Sequence, residues 1–232
     1  MAKKLNQYGV VKLSQTSKMG CSSFSLAAGS SCPGSIDLAT KEVSEVCKFC
    51  YAKSGAYLFK GTKQVRQDNY AAIKSETFVE DFVKVLEGHT KIRLHDSGDI
   101  FSVSYAEKIY EIASRTPHVM WWAPTKSFKF KKFDGVFAKL NSLPNFSLRY
   151  SADKYDEVLD INQINSAVIT EDYDLSANPD VFVCPAPEND GKCGTCTACW
   201  NKDIKTVAYK LHGRSALADQ KKKKTITLKQ VK

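Results

Sequence analysis

Between Lys91 and Val183 short apolar runs alternate with stretches of helical spacing, and no other feature of the chain limits its fold so tightly. Lys91 to Leu94 reads as a strand, Val103 to Ser114 as a helix, Val119 to Ala123 as a strand, Phe128 to Leu140 as a helix and Asn145 to Tyr150 as a strand. Tyr155 to Ile161 has the spacing of a further helix, Ala167 to Thr170 that of a strand, and Val181 to Val183 that of a last strand running straight into Cys184. Such alternation predicts right-handed crossovers and a parallel sheet, because a parallel neighbour is reached only by carrying the chain back across the sheet. Upstream, Tyr8 to Leu13 is a candidate first strand. Lys63 to Glu87 sets Val65, Ala72, Ile73, Phe78, Phe82, Val83 and Leu86 at helical spacing, with Gly88 as the stop. The count comes to about six β/α units. No G-x-G-x-x-G turn marks a flat dinucleotide fold, and polar clusters fall just beyond strand ends. The expected fold is therefore α/β, an incomplete parallel β/α barrel with a cysteine-rich C-terminal cluster module.

A chain of 232 residues suits one generous domain with a small appendage. The division expected is 1–183 for the partial barrel with its N-terminal cysteine loop, 184–214 for the cysteine-rich metal-cluster module packed on it, and 215–232 for a basic, flexible tail. The start, Met1 to Leu5, has no apolar signal core behind its lysines, and no later apolar run approaches the ~18 residues of a membrane helix. The expected location is the cytoplasm, with no membrane partner. The formal charge is +9, but much of the excess sits in Lys221 to Lys224, Lys229 and Lys232. A lysine-rich terminus is either a solvated face or a nucleic-acid contact, and both readings stand.

Eight cysteines carry the chemistry. In a reducing compartment closely spaced thiols read first as metal ligands or redox groups, not disulfides. Cys184, Cys193, Cys196 and Cys199 fall within sixteen residues, the last three at x2 spacing, in a segment whose Gly and Pro residues permit tight turns. Two consecutive x2 gaps match cluster loops of the ferredoxin kind better than zinc ribbons, whose two C-x2-C knuckles stand well apart, so the quartet is expected to hold a [4Fe-4S] cluster, with zinc as the alternative. The N-terminal group is looser. Cys47 and Cys50 form a C-x2-C knuckle, fourteen residues separate Cys32 from Cys47, and ten separate Cys21 from Cys32. Following the first strand of a β/α array, this loop stands where a second cluster belongs. Cys21 is either its fourth ligand or a buried small hydrophobe.

The segment Arg93-Leu-His95-Asp96-Ser97-Gly98-Asp99 ends a strand with an imidazole and two carboxylates. Asp96, Ser97, Gly98 and Asp99 are candidates for binding a cofactor or substrate, or form a turn whose carboxylate caps the next helix. Lys126 and Arg149 near strand ends are candidates for holding a carboxylate or phosphate. Met120 to Pro124 reads as core strand with at least one indole turned towards ligand space. The chain has no Walker A loop, no H-E-x-x-H and no G-x-S-x-G.

Taken together, Gly20-Cys-Ser-Ser-Phe-Ser-Leu26, Cys32-Pro-Gly34, Cys50-Tyr-Ala52, His95-Asp-Ser-Gly-Asp99, Thr125-Lys-Ser127 and the closing Cys193-Gly-Thr-Cys-Thr-Ala-Cys-Trp200 resemble the phage proteins called gene product eighty-eight. That poorly characterised family supplies no activity to transfer. More distantly, Cys47-x2-Cys50-Tyr-Ala and the later Thr125-Lys126 are similar to radical S-adenosylmethionine proteins, particularly phage relatives of spore photoproduct lyase. That resemblance implies Cys32, Cys47 and Cys50 as ligands of a [4Fe-4S] cluster, S-adenosylmethionine as cosubstrate, and the C-terminal cluster as auxiliary. The pattern departs from the C-x3-C-x2-C of those enzymes in its fourteen-residue first gap, and a fourth thiol from Cys21 would leave no iron open. The competing expectation is a non-catalytic cluster- or zinc-bearing phage protein that binds nucleic acid or a host protein.

Overall fold

The computed structural model describes residues 5–230 and is a mixed α/β structure on one nine-stranded sheet. In chain order come β1 (Leu5–Tyr8), β2 (Val11–Gln15), β3 (Ser22–Phe24), α1 (Glu45–Lys48), α2 (Lys60–Ala72), α3 (Phe78–Val85), β4 (Lys91–Leu94), α4 (Val103–Arg115) and β5 (Met120–Thr125). Then follow α5 (Asp134–Ser142), β6 (Phe146–Tyr155), β7 (Asn165–Ile169), β8 (Val181–Val183), β9 (Thr206–Lys210) and α6 (Arg214–Gln230). The order across the sheet is β1-β2-β3-β4-β5-β6-β7-β9-β8. All pairings from β3 onward are parallel, and β1-β2 and β2-β3 are antiparallel. The sheet is open, with β1 and β8 at its edges.

The strand period of two divides the sheet chemically. Ile92 and Leu94 of β4, Trp121 and Ala123 of β5, and Phe146 and Leu148 of β6 enter one core with Phe78 and Phe82 of α3, Ile109 and Ile112 of α4, and Phe137 and Leu140 of α5. Helices α3, α4 and α5 pack side by side over this face. The alternate residues Arg93, Trp122 and Pro124 face the other side, where a cavity is lined by loops together with α1 and α6. The two adjacent tryptophans therefore part company, Trp121 into the core and Trp122 towards the cavity.

Several expectations need correction. Tyr8 to Leu13 is not one strand but the turn and arms of the β1-β2 hairpin, reversed at Gly9, whose φ is +50°. The long helix expected over Lys63 to Glu87 is two, α2 and α3, broken at a turn where the Ser75 and Thr77 hydroxyls bond each other and Thr77 Oγ1 donates to Asp81. The helix expected from Phe128 starts only at Asp134, after two short 3-10 turns. No helix forms over Tyr155 to Ile161. Strand β6 runs on to Tyr155, and Glu157 is occupied accepting the Asp153 and Lys154 amides. Residues expected as a flexible tail lie largely in α6, which buries Ala216 and pairs Lys223 with Glu45 at 2.6 Å. Met1 to Lys4, and Lys232 of that tail, lie outside the described residues. Among the described residues no helix is long and apolar enough to cross a membrane.

Candidate functional site

The loop between β3 and α2 is pressed onto the strand ends by two close approaches. At Gly34 a Cβ would stand 2.3 Å from the Lys126 carbonyl carbon. At Gly98, with φ +88°, a Cβ would stand 2.7 Å from both Leu26 Cβ and Ser31 Oγ. Only glycine fits, so Cys32-Pro33-Gly34 lies directly against the ends of β4 and β5. The Asp99 amide donates to Ser31 O at 3.1 Å, and the Asp99 carboxylate accepts from the amides of Ile100 at 2.7 Å and Lys126 at 2.9 Å. Burial pushes the Asp99 carboxyl up to about 6, against hydrogen bonds that favour its charged form. Asp99 is thus a clasp between loop and sheet.

Beyond the strand ends lies a cavity of about 480 Å³, within the range of small-molecule sites. Its wall includes Cys32, Cys47 and Cys50 on one side and Cys184, Cys193 and Cys199 on another. Asp96, Ser97, Gly98, Asp99 and Lys126 also line it. Asp96 is held by Arg66 at 3.4 Å and by the Tyr57 hydroxyl at 3.5 Å, while Tyr51 donates to the Asp96 carbonyl at 2.7 Å. Arg66 also donates to Ser97 Oγ, which in turn donates to Leu26 O at 2.6 Å. His95 has φ +61° and is 2 % exposed. Its Nε2 meets Tyr105 at 3.0 Å, and burial drives its pKa down to about 3, leaving a neutral ring. His95 Nδ1, Trp122 Nε1 and Arg93 Nε are buried without a hydrogen-bond partner, although each of these residues lines the cavity. Lys126 is committed to the Ser151 and Ala152 carbonyls and to Asp153 at 3.2 Å.

Arg149 does not stand in the cavity wall, contrary to the expectation that it would hold an anionic group. It is fully buried, and its guanidinium donates to main-chain carbonyls, among them Ala198 and Cys199 at 3.0 Å each and Ile204 at 2.9 Å. It brackets the C-terminal cysteine loop.

The eight thiols are free and fall into unequal groups. Cys32, Cys47 and Cys50 feel one another's charge, and burial pushes Cys32 up to about 11. Cys21 is not with them. It precedes β3, at the far end of that strand from the Cys32 loop, and packs with Trp122, Ala198, Cys199 and Trp200. Its neighbourhood is tied to the C-terminal loop by the Cys193 amide, which donates to Lys18 O at 2.8 Å. Burial raises Cys199 to about 11, and Tyr209 meets its sulfur at 3.2 Å. Burial therefore favours the protonated thiol at Cys21, Cys32 and Cys199 unless a cation displaces the proton. Among the described residues, no three His, Cys, Asp or Glu side chains are close enough together to hold a metal ion. In chemical type alone, the cysteines are soft sulfur donors of the kind thiophilic centres take.

Sequence reasoning overlooked Tyr51, Tyr57, Arg66 and Tyr209. Tyr51 adjoins Cys50, which was signal enough, but nothing in its local pattern marks Arg66 as buried. No curated protein and no solved structure matches the chain. The run of motifs from the Cys21 segment to Trp200 falls within a family match over residues 1–202, and the chain belongs to the Gene product 88 family.

Proposed function

We propose that the chain is an iron-sulfur enzyme in which Cys32, Cys47 and Cys50 hold a [4Fe-4S] cluster with one iron open to the cavity, and the C-terminal cysteines hold an auxiliary [4Fe-4S] centre, with zinc as its alternative. The observation that carries this reading is the separation of Cys21 from the other three N-terminal thiols. Three thiolates leave one iron without a protein ligand, whereas four saturate the cluster. A cluster of that kind supplies an electron to a chelated cosubstrate, S-adenosylmethionine in the radical-enzyme reading.

The chain's own residues fit such a role. The Arg66-Asp96-Tyr57 group and Tyr51 fix the wall beside Cys50, and the β3-α2 loop with Ala216 of α6 completes the lining around them. Helices outside and a cavity inside the open sheet support the incomplete-barrel architecture, with residues 184–214 as its cluster module.

Anaerobic purification with iron, sulfide and zinc analysis tests the reading, followed by electron paramagnetic resonance of the reduced protein with S-adenosylmethionine. Iron and sulfide for two clusters, or for one beside zinc, with a cosubstrate-dependent signal shift are expected. Zinc without iron, or an unmoved signal, would reject the enzymatic reading. It would favour a zinc-braced phage protein that binds nucleic acid or a host protein, a reading supported by the +9 charge and the exposed Lys222 of α6.

A further inference from the structure

We propose that the segment from Tyr51 to Lys63 is a docking surface for single-stranded nucleic acid, its exposed rings stacking on bases and its lysines meeting phosphates. The inference goes beyond the metal reading and stands whether or not the cysteines hold a metal. Between Glu45 and Asp68 the chain has no acidic residue, while Lys48, Lys53, Lys60 and Lys63 are all exposed. Lys48 reaches Glu42 only at 3.9 Å. Among the described residues Lys53, Lys60 and Lys63 make no ion pair. The same stretch also exposes apolar surface. Phe59 is 66 % exposed, Leu58 51 % and Tyr51 44 %, and the Tyr51 and Tyr57 rings meet edge-on, 5.5 Å between centres. Two 3-10 turns, Tyr51–Lys53 and Gly55–Leu58, set these residues ahead of α2, with the Phe59 amide donating to Ala56 O at 3.3 Å.

Neither feature is explained by folding. Lys60 and Lys63 occupy the first turn of α2, where the helix dipole favours acids and none stands. A single exposed apolar residue is ordinary, but neighbouring Leu58 and Phe59 beside Tyr51 present water with apolar surface that a partner would cover. Interleaved rings and cations match single strands, whose unpaired bases stack on aromatic faces and whose phosphates recur along the chain. A membrane-surface helix instead segregates a basic face from an apolar one, and a duplex hides the faces of its bases. Helix α6, tied to α1 by the 2.6 Å Lys223–Glu45 pair, adds the exposed Lys221 and Lys222 on the α1 side of the segment.

Fluorescence anisotropy of a labelled oligothymidylate of about 20 nucleotides, titrated with the full chain at several salt concentrations, tests the inference. Phe59→Ala is expected to weaken binding by at least about fivefold, the lower end of what stacking on one base contributes. Lys60→Gln/Lys63→Gln should make the dependence of affinity on salt shallower by about 1.4 on logarithmic axes, from about 0.7 per phosphate contact. These side chains are exposed, so both variants should keep the parent's melting midpoint. Absence of binding, equal affinity for a duplex of the same length, parent-like affinity in Phe59→Ala or an unchanged salt slope in the lysine variant overturns the inference. So does a Lys221→Gln/Lys222→Gln protein that loses all affinity while Phe59→Ala keeps it, which would place binding on α6 alone. Binding to phosphatidylserine vesicles that Phe59→Ala abolishes, with no binding of oligothymidylate, would make the surface a membrane contact instead. Iron and zinc content of the same preparations judges the metal reading separately.

Discussion

Gly34→Ala tests whether the cysteine loop is seated on the sheet as described. The new Cβ would stand 2.3 Å from the Lys126 carbonyl carbon, 2.4 Å from its oxygen and 2.6 Å from its Cβ. Carbon atoms in contact settle roughly 3.5 to 4.0 Å apart, so loop and strand end must part by about 1 Å or more. The obstacle is mainly backbone and has no flexible tip to swing aside. Parting strains the Asp99 clasp, which joins Ser31 O to the Lys126 amide across the same seam. Overpacking costs about 1 to 3 kcal/mol and one lost hydrogen bond about 1 more, for a total of about 2 to 4 kcal/mol. At about 2 to 4 °C per kcal/mol for a chain of this size, the midpoint should fall by about 4 to 16 °C. Thermal unfolding followed by circular dichroism, with urea titration to confirm an unchanged slope, measures the loss. A variant melting within about 1 °C of the parent would refute the close approach and the position of Cys32 that depends on it.

Phe82→Ala should cost about 3 to 5 kcal/mol in urea unfolding, since the ring is fully buried against Phe24, Phe78 and Trp121; a loss under about 1 kcal/mol would misplace α3. Gly135→Ala in α5 meets nothing within 4 Å and should stabilise by about 0.5 kcal/mol, with any destabilisation arguing against a helix there. Asp99 holds its proton to about 6 when folded, against an ordinary value of 3.8, so its contribution is full below that lower pH and is lost as pH rises through 6. The stability difference between parent and Asp99→Asn, measured from pH 4 to 7, should change in that window, and a flat difference would remove the assignment.

The sequence was legible where periodicity is sharp. Lys91 to Leu94 and Val181 to Val183 coincide with β4 and β8, and the α4 boundaries differ by one residue. It was illegible where short strands lack alternation. Ser22 to Phe24 and Thr206 to Lys210 sit among polar residues and draw their pairing from neighbours distant in sequence. Asp96 to Asp99 and Lys126 emerged as cavity residues because strand ends collect polar groups. Arg149 misled for a related reason. A cation at a strand end looks the same in sequence whether it meets a ligand or the carbonyls of a loop some fifty residues later, and Cys199 is the partner at that separation. The position of Cys21 depends on strand direction, since a residue before β3 and a residue after it emerge at opposite ends of the sheet.

Strand β9 is last of the strands in chain order yet interior in the sheet, seated between β7 and β8, which do not pair with each other. The chain must therefore make β8, release its whole cysteine loop and then return to fill a slot that has been waiting. Closing that loop costs entropy that rises with its length. A centre joining Cys184 to Cys199 would collapse most of the detour and leave a short tether before Thr206. Until then the β7 flank is an open seam, the kind of unpaired edge that recruits other chains. If the proposed C-terminal centre exists, iron or zinc supplied during synthesis should yield more folded protein than the same metal added after purification.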